Sequence, residues 1–483
     1  MRTSRLVVLG MVAALATAAC GSRTTQAQKL EALGSGRNSG AGAGNENLTG
    51  TQGGNAGTDS GVAAGTAGAG QTAGAATGGA ANNKTGGAAT NTAKGGFSGD
   101  NGGSTDVGVT GNSITVSNVS ILTGPVPGLF AGAFNGTDAF FQYQNSQGGV
   151  YGRQLKVLPR DDQFDCGQNK TLTESDIPKV FAFVGSFSLF DNCGAQPLGA
   201  NPAVPDVHNA LSIDAAHLAN NFSPQPLRTG AATGPFNYFK AKAPGAIGAS
   251  GSLVGDVQSA KDSWVGIKKT MQQLGYNFVY DQLYSPTQTD FTADIVRMRS
   301  AGVKTLVLVA ADVKGIARIA QQAKQQNFHP DLTILGASAY DPQLIPLGTA
   351  DALEGMHVYL PTAMYLGEDR ATNKEVDLFL TWLKKTHPSA NPDLFTVYGW
   401  ASARLFVQAL QAAGPQAKRA TLLAALKNIH QFDSNGMLQA GDPAGKNPGP
   451  CYVIADIKGG KFVRAPDSAS GYRCDGNYNL VSP

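Results

Sequence analysis

The stretch "GGVYGRQLKVLPRDDQFDCGQNK", Gly148 to Lys170, brings Asp161, Asp162, Asp165 and Cys166 together after an alternating strand pattern. Carboxylates this close could hold a hard cation, serve as an acid–base pair, or cap a turn and a helix. Their spacing is not that of a calcium loop, which spreads its oxygen ligands over roughly twelve residues. A metal or catalytic site and a scaffold therefore stand as alternatives, and the compartment in which the cysteine lives bears on the choice.

Residues 1–20, "MRTSRLVVLGMVAALATAAC", have the layout of an export signal: Arg2 and Arg5, an apolar stretch from Leu6 to about Ala18, then small residues before Cys20. The stretch is too short for a comfortable membrane span. The small residues match a bacterial lipoprotein cleavage box, although Thr17 stands where such boxes usually carry Leu. The expectation is an exported protein at the cell surface or in the periplasm, anchored to the membrane by lipidated Cys20. Of the five cysteines, four are left once Cys20 is set apart, and Cys166, Cys193, Cys451 and Cys474 pair without remainder in an oxidising compartment.

Residues 21–105 read as a tether. From about Ser35 to Thr105 the chain is Gly, Ala, Asn and Thr with almost no aromatic residue, too little apolar surface to offset its conformational entropy. As a flexible coil of about seventy residues it would span on the order of 45 Å. Deleting Ser35 to Gly103 is then expected to leave the melting temperature nearly unchanged. The formal net charge of +3 and the scattered Lys and Arg argue against nucleic acid as a partner.

Catalytic patterns are missing: there is no G-x-S-x-G, H-E-x-x-H, C-x-x-C or P-loop. "GASGS" and "GASAY" lack the complete serine elbow, and His208 and His217 read as hydrogen-bonded loop residues. The expectation is a protein that is not an enzyme and uses no cofactor or metal.

From Asp106 onward the chain alternates. "ITVSNVSI" is strand-like, and "AFNGTDAFFQYQNSQGG" is an amphipathic helix stopped by Gly148 and Gly149. "RQLKVLPRD", "VFAFVG" and "PDVHNALS" follow as strands. Further on, "AIGASGS", "FVYDQLY", "TLVLVA" and "TILGAS" alternate with helical stretches around Val257–Leu274, Phe291–Ser300 and Lys314–Gln326. That rhythm gives right-handed βαβ units, and two series in succession give an α/β protein of two doubly wound parallel-sheet lobes. Ligands of such sheets sit beyond the carboxyl ends of the strands, so the cleft between the lobes is the expected site.

The ordered pieces "GVTGNSITVSNVSILTGPVPG", "NSQGGVYGRQLKVLPRDDQFD", "VFAFVGSFS", "TDFTADIVRMRSAGVKTLVLV" and "LEGMHVYLPTA" resemble the type I periplasmic binding proteins. They are most similar to the branched-chain amino-acid (leucine, isoleucine, valine) binding branch of the ABC importers. The resemblance spans about Val107 to Phe462. It implies a hinged clamp, a monomer, with a first lobe of 106–235 plus 361–432 and a second of 236–360 plus 433–483. The clamp would capture a small polar ligand and deliver it to a membrane permease. A surface sensor or interaction module with the same closing fold, and a cell-wall hydrolase, stand as alternatives.

The resemblance also implies a bridge from Cys166 to Cys193, worth roughly 3–4 kcal/mol on the chain-entropy model. Asp162 and Asp165 are then turn and helix-cap residues. Cys451 and Cys474 flank "YVIADIKGGKFVR", a hairpin tipped by Gly459-Gly460, which a second bridge would staple. By the same resemblance, Ser186, Ser188, Ser212 and Asp214 of the first-lobe loops would hold a ligand carboxylate, with Thr123 and Phe130 bordering the pocket. The glutamate and aromatic hydroxyl that take the ligand ammonium in the relatives are replaced here by Ser338 and Asp312. The ligand is therefore expected not to be leucine, isoleucine or valine, and Asp312, Ser338, Tyr340 and Asp341 would read its second-lobe end.

Overall fold

The computed structural model describes residues 97–125, 128–467 and 471–482. The signal segment, Cys20 and most of the tether lie outside the described residues.

Among the described residues the strands form three sheets. In the first, β1 (Ser113–Ser120) pairs in parallel with β2 (Gln154–Asp161) on one side and β3 (Phe183–Val184) on the other, and β3 pairs with β4 (Asp206–Val207). In the second, β6 (Ser250–Gly255) is flanked in parallel by β7 (Phe278–Tyr284) and β8 (Thr305–Leu308), and β9 (Leu332–Leu335) and β10 (His357–Leu360) extend it. The antiparallel hairpin of β11 (Val453–Lys458) and β12 (Lys461–Arg464) completes that sheet against β10. A small antiparallel pair joins β5 (Gly230–Ala232) to β13 (Tyr478–Leu480).

Burial explains which runs were easy to read. β6, β8 and β9 are covered on both faces and buried throughout, whereas the edge strand β7 buries only Tyr280 and Tyr284. Several expected strands are shorter or shifted. "VFAFVG" contributes only Phe183–Val184, "PDVHNALS" only Asp206–Val207, and "AIGASGS" begins as a 3-10 turn at Ile247–Ala249 before β6.

The helices that matter to the site are α1 (Ala131–Ser146), α2 (Cys166–Asp176), α3 (Asp191–Ala200) and α4 (Ile213–Ala216) in the first half of the chain. Then come α5 (Thr233–Lys242), α6 (Gln258–Gln273), α7 (Thr292–Ser300), α8 (Val313–Gln325), α9 (Leu344–Gly348) and α10 (Ala350–Leu353). After β10 the chain adds α11 (Lys374–Thr386), α12 (Leu394–Ala413) and α13 (Arg419–Leu426), and α11 and α12 pack on α1. The α1–α12 crossing is close enough to require glycine: a Cβ on Gly136 would lie 1.9 Å from the Thr396 carbonyl oxygen, and one on Gly399 2.0 Å from that of Ala133.

Both cysteine pairs form: Cys166–Cys193 ties the start of α2 to α3, and Cys451–Cys474 ties the segment before β11 to the chain beyond the hairpin. Gly459 and Gly460 make the hairpin tip with φ of 58° and 70°. Asp165 caps α2 by accepting from the Gln168 N–H at 2.7 Å. Asp162 is buried, accepting from the Phe164 N–H and from Asn169 Nδ2 at 2.9 Å. Asp161, Asp162 and Asp165 are thus spent on their own backbone and neighbours.

One expectation needs correction. The tether was expected to run to residue 105, yet Phe97–Thr105 packs on the body of the protein. Phe97 meets Tyr151 edge-on at 5.4 Å, and Asn101 Nδ2 donates to the Gly111 and Tyr151 carbonyls. Fully buried Arg153 donates to the carbonyls of Thr110, Pro415, Asn101 and Gly103. Those contacts run through backbone oxygens, which no hydrophobic pattern reveals. Extending a deletion of 35–95 through Gly103 is therefore expected to cost about 1–3 kcal/mol, because a buried guanidinium loses partners. Equal urea midpoints for the two deletions would contradict this.

Candidate functional site

The loops at the carboxyl ends of both sheets converge on a cleft of about 480 Å³. The loop after β1 supplies Phe130, the loop after β3 supplies Phe187 and Leu189, and the loop after β4 supplies Asn209 and Leu211. Opposite them stand Gly255 and Val257 at and after the end of β6, Tyr284 and Pro286 at and after the end of β7, Val309–Lys314 after β8, and Ala337, Ser338 and Asp341 after β9. The start of α12 and the residue before it add Asp393, Leu394, Phe395 and Tyr398. In both sheets a strand connects to neighbours on either side, which leaves a crevice at its carboxyl end.

The walls are mainly apolar, and one of them is aromatic. Phe130 lies 4.8 Å from Phe187 and 4.5 Å from Phe395, centroid to centroid; Phe187 lies 5.0 Å from Phe395 and stacks on Tyr398 at 6.0 Å. Such edge-on and stacked contacts add to the burial of the rings and fix their orientation.

Of the residues singled out from sequence, Phe130, Asp312, Ser338 and Asp341 line this cleft. Asp312 is occupied as the N-cap of α8, accepting from the Lys314 and Gly315 N–H groups at 3.0 Å, and Tyr284 Oη donates to it at 3.1 Å. Ser338 Oγ donates to the Ala311 carbonyl at 3.1 Å. Asp341, only 6% exposed, accepts from the Gln343 N–H at 2.7 Å, and burial raises its carboxyl above the usual range.

The other six do not line it, for reasons visible in their bonds. Thr123 donates to Asp161 outside the cleft, and Ser186 Oγ accepts the Val119 N–H at 3.1 Å. Ser188 is buried, with its hydroxyl on Asp162 and accepting the Phe190 N–H at 3.0 Å. Ser212 caps α4 and Asp214 sits exposed in that helix's first turn. Tyr340 is fully buried, its hydroxyl on Glu368 and its ring against Tyr365 and Phe462 at 4.9 and 4.8 Å.

His208 and its neighbours lie behind the cleft wall. Its Nδ1 meets Asp206 at 2.6 Å and its Nε2 lies 3.8 Å from Asp191, whose carboxylate accepts the Leu211 and Ser212 N–H groups. Burial opposes the imidazolium, but the two carboxylates outweigh it and raise His208 to about 10. Through Asp191, these contacts help to hold the loop carrying Asn209 and Leu211.

Sequence reasoning missed Phe187, Phe395 and Tyr398, and with them Asp393. Asp393 caps α12 through the Thr396 N–H at 2.7 Å and the Thr396 hydroxyl at 2.6 Å, and burial pushes it up to about 6. "NPDLFTVYGW" carries a legible cap signal, but nothing local shows that this helix start faces a cleft.

Two open α/β lobes whose strand ends share one ligand-sized cleft define a two-lobed binding fold. The family model described as Periplasmic binding protein matches residues 113–461, and the chain belongs to that family, which is extracytoplasmic. No curated protein matches the chain in sequence. Among solved structures it resembles the fatty acid ABC transporter substrate-binding protein from Thermomonospora curvata, at 18% identity over 78% of this chain and 94% of that one, with a TM-score of 0.63. It also resembles a branched chain amino acid ABC transporter from Thermus thermophilus with bound valine, at 17% identity over 77% and 97%, TM-score 0.63. A third is an R. palustris ABC transporter solute binding protein in complex with benzoate, at 18% identity over 77% and 98%, TM-score 0.59. Among the described residues no helix is long and apolar enough to cross a membrane.

Proposed function

We propose that this protein is an extracytoplasmic solute-binding protein that closes its two lobes over a small molecule and presents it to the permease of an ABC importer. The lobes are 106–235 plus 361–432 and 236–360 plus 433–483, the anchor is lipidated Cys20, and the working unit is a monomer. The observation that carries this reading is the 480 Å³ cleft, lined from the strand ends of both sheets. A ligand touching both walls favours the closed form by its differential affinity for it.

The ligand expected from sequence was small and polar; the walls favour one with a sizeable apolar body instead. The serines assigned to a carboxylate hold other groups, and Phe130, Phe187, Phe395, Tyr398 and Val309 make one side of the lining apolar. The structural neighbours bind valine and benzoate, and one is a fatty-acid transporter component, so the fold accommodates apolar bodies of different shape. Native mass spectrometry of protein purified without unfolding tests the function. A bound small molecule, or one captured from a metabolite extract, is the expected result, and neither appearing would overturn it. Calorimetry with leucine, isoleucine and valine is expected to show no sub-micromolar binding.

A further inference from the structure

A second, smaller cavity lies behind the first wall of the cleft. It measures about 20 Å³, and Asn169, Ser186, Ser188, Asp191 and His208 supply much of its polar lining. A volume of that size takes one water molecule and not two. His208 is 4% exposed, and its Nε2 has no hydrogen-bond partner among the described residues. The bond from Nδ1 to Asp206 at 2.6 Å fixes the ring and with it the place of Nε2. An Asp191 oxygen stands 3.8 Å from Nε2, too far for a direct hydrogen bond and at a separation that a bridging water spans. Two further groups can take part. The Asn169 amide gives its nitrogen to Asp162 and has no donor on its oxygen among the described residues, and Ser186, which accepts the Val119 N–H, keeps its hydroxyl hydrogen to give.

We propose that this cavity is a binding site for a single water molecule, held between His208 Nε2 and Asp191 and sealed from the cleft by the ring of Phe187. As an imidazolium, the state that its two carboxylates favour, His208 donates from Nε2, and a water accepts that hydrogen while giving its own to Asp191. A buried donor that would otherwise go unmet is thereby satisfied. An anion would meet the charges of Asp191 and Asp206, and a metal cation would meet the imidazolium, so an uncharged molecule that both donates and accepts is the one that fits. Among the described residues Phe187 alone borders both this cavity and the cleft. Its N–H donates to Ser120 Oγ at 2.9 Å and its ring is 3% exposed, packed on Phe130, Phe395 and Tyr398. The ring divides an apolar surface that faces the ligand from a polar one that does not. Phe187 is in this sense a specificity-determining residue, since without its ring the cavity becomes a polar arm of the cleft. The inference goes beyond the solute-binding reading and holds whichever solute the cleft takes.

Two measurements on the full chain test this. A high-resolution crystal structure is expected to show one ordered water within hydrogen-bond distance of both His208 Nε2 and Asp191. In NMR spectra of histidine-labelled protein, the Nε2–H of His208 is expected to show an Overhauser contact with a long-lived water. That hydrogen is expected to exchange with solvent at least tenfold faster in Phe187→Ala, in which cavity and cleft run together. Phe187→Tyr keeps the ring and is expected to keep the slow exchange, and Phe187→Leu, a milder truncation, gives a second reading where alanine does not fold. A dry cavity, His208 Nε2 bonded directly to Asp191, or an ion in the water's place would overturn the water site. Equal exchange rates in the parent and the truncated variants would overturn the seal.

Discussion

Replacing Glu375 by alanine is expected to destabilise the protein by about 3–5 kcal/mol, the range for removing one partner of a buried ion pair. Glu375 is 3% exposed and accepts from Trp400 Nε1 at 2.6 Å, Arg404 Nε and Nη2 at 2.8 and 2.6 Å, and Asn435 Nδ2 at 3.1 Å. Alanine leaves the Arg404 guanidinium, stacked 4.9 Å over Phe140, without a counter-charge, and the indole N–H without an acceptor. Glu375 sits on α11 and its partners Trp400 and Arg404 on α12, so the change also loosens the helix whose start carries Phe395 and Tyr398. Urea denaturation of Glu375→Ala and Glu375→Gln checks it. The glutamine variant keeps the shape and one acceptor and should lose less, and a loss below about 1 kcal/mol in the alanine variant would contradict the assignment.

A second substitution should act in the opposite direction. In ligand-free protein at pH 7.5, Asp393→Asn is expected to stabilise by about 2–3 kcal/mol, taking roughly 1.4 kcal/mol per pKa unit. Burial raises Asp393 from 3.8 to about 6 in the folded chain, so folding favours the protonated acid. The stability this group contributes is full below about pH 4 and is lost as pH rises through about 6. Above that pH the native state holds a desolvated charge that asparagine does not carry. Melting curves of the two proteins should therefore diverge between about pH 4 and pH 6, keep a constant gap above that, and converge below pH 4. A variant less stable than the parent at pH 7.5 would show that the charge is compensated in the free protein.

Much of the scaffold was legible because single physical rules decide it. Short apolar stretches such as "TLVLVA" and "TILGAS", alternating with helical segments, fit strands covered on both faces, and Gly459-Gly460 fits a tight tip between strands. Cys166 and Cys193 paired as the family resemblance implied, and Cys451 and Cys474 as their places on either side of the hairpin led one to expect. The site was less legible because a hydroxyl in a loop has many possible partners. Ser186, Ser188 and Ser212 stand in the anticipated loops but bond inward to Val119, Asp162 and Ala215, and the neighbouring Phe187 is what meets the cleft. Asp393 and Tyr398 were beyond reach for a different reason. Their part in the cleft depends on α12 returning to α1 across more than two hundred residues, which no local window contains.

That return has a consequence in time. Thr137 Oγ1 of α1 donates to the Gly399 carbonyl of α12 at 3.2 Å, a contact spanning 262 residues. At a synthesis rate of about 5–20 residues per second, the partner of α1 follows it by roughly 13–50 s. During that interval Phe140 and Phe141, buried in the finished protein, have no Trp400 or Phe406 to pack against. The half of the chain made first cannot be the half completed first. Nascent chains stopped before Leu394 should therefore expose α1 to chaperones and proteases, while those extended beyond Ala413 should protect it.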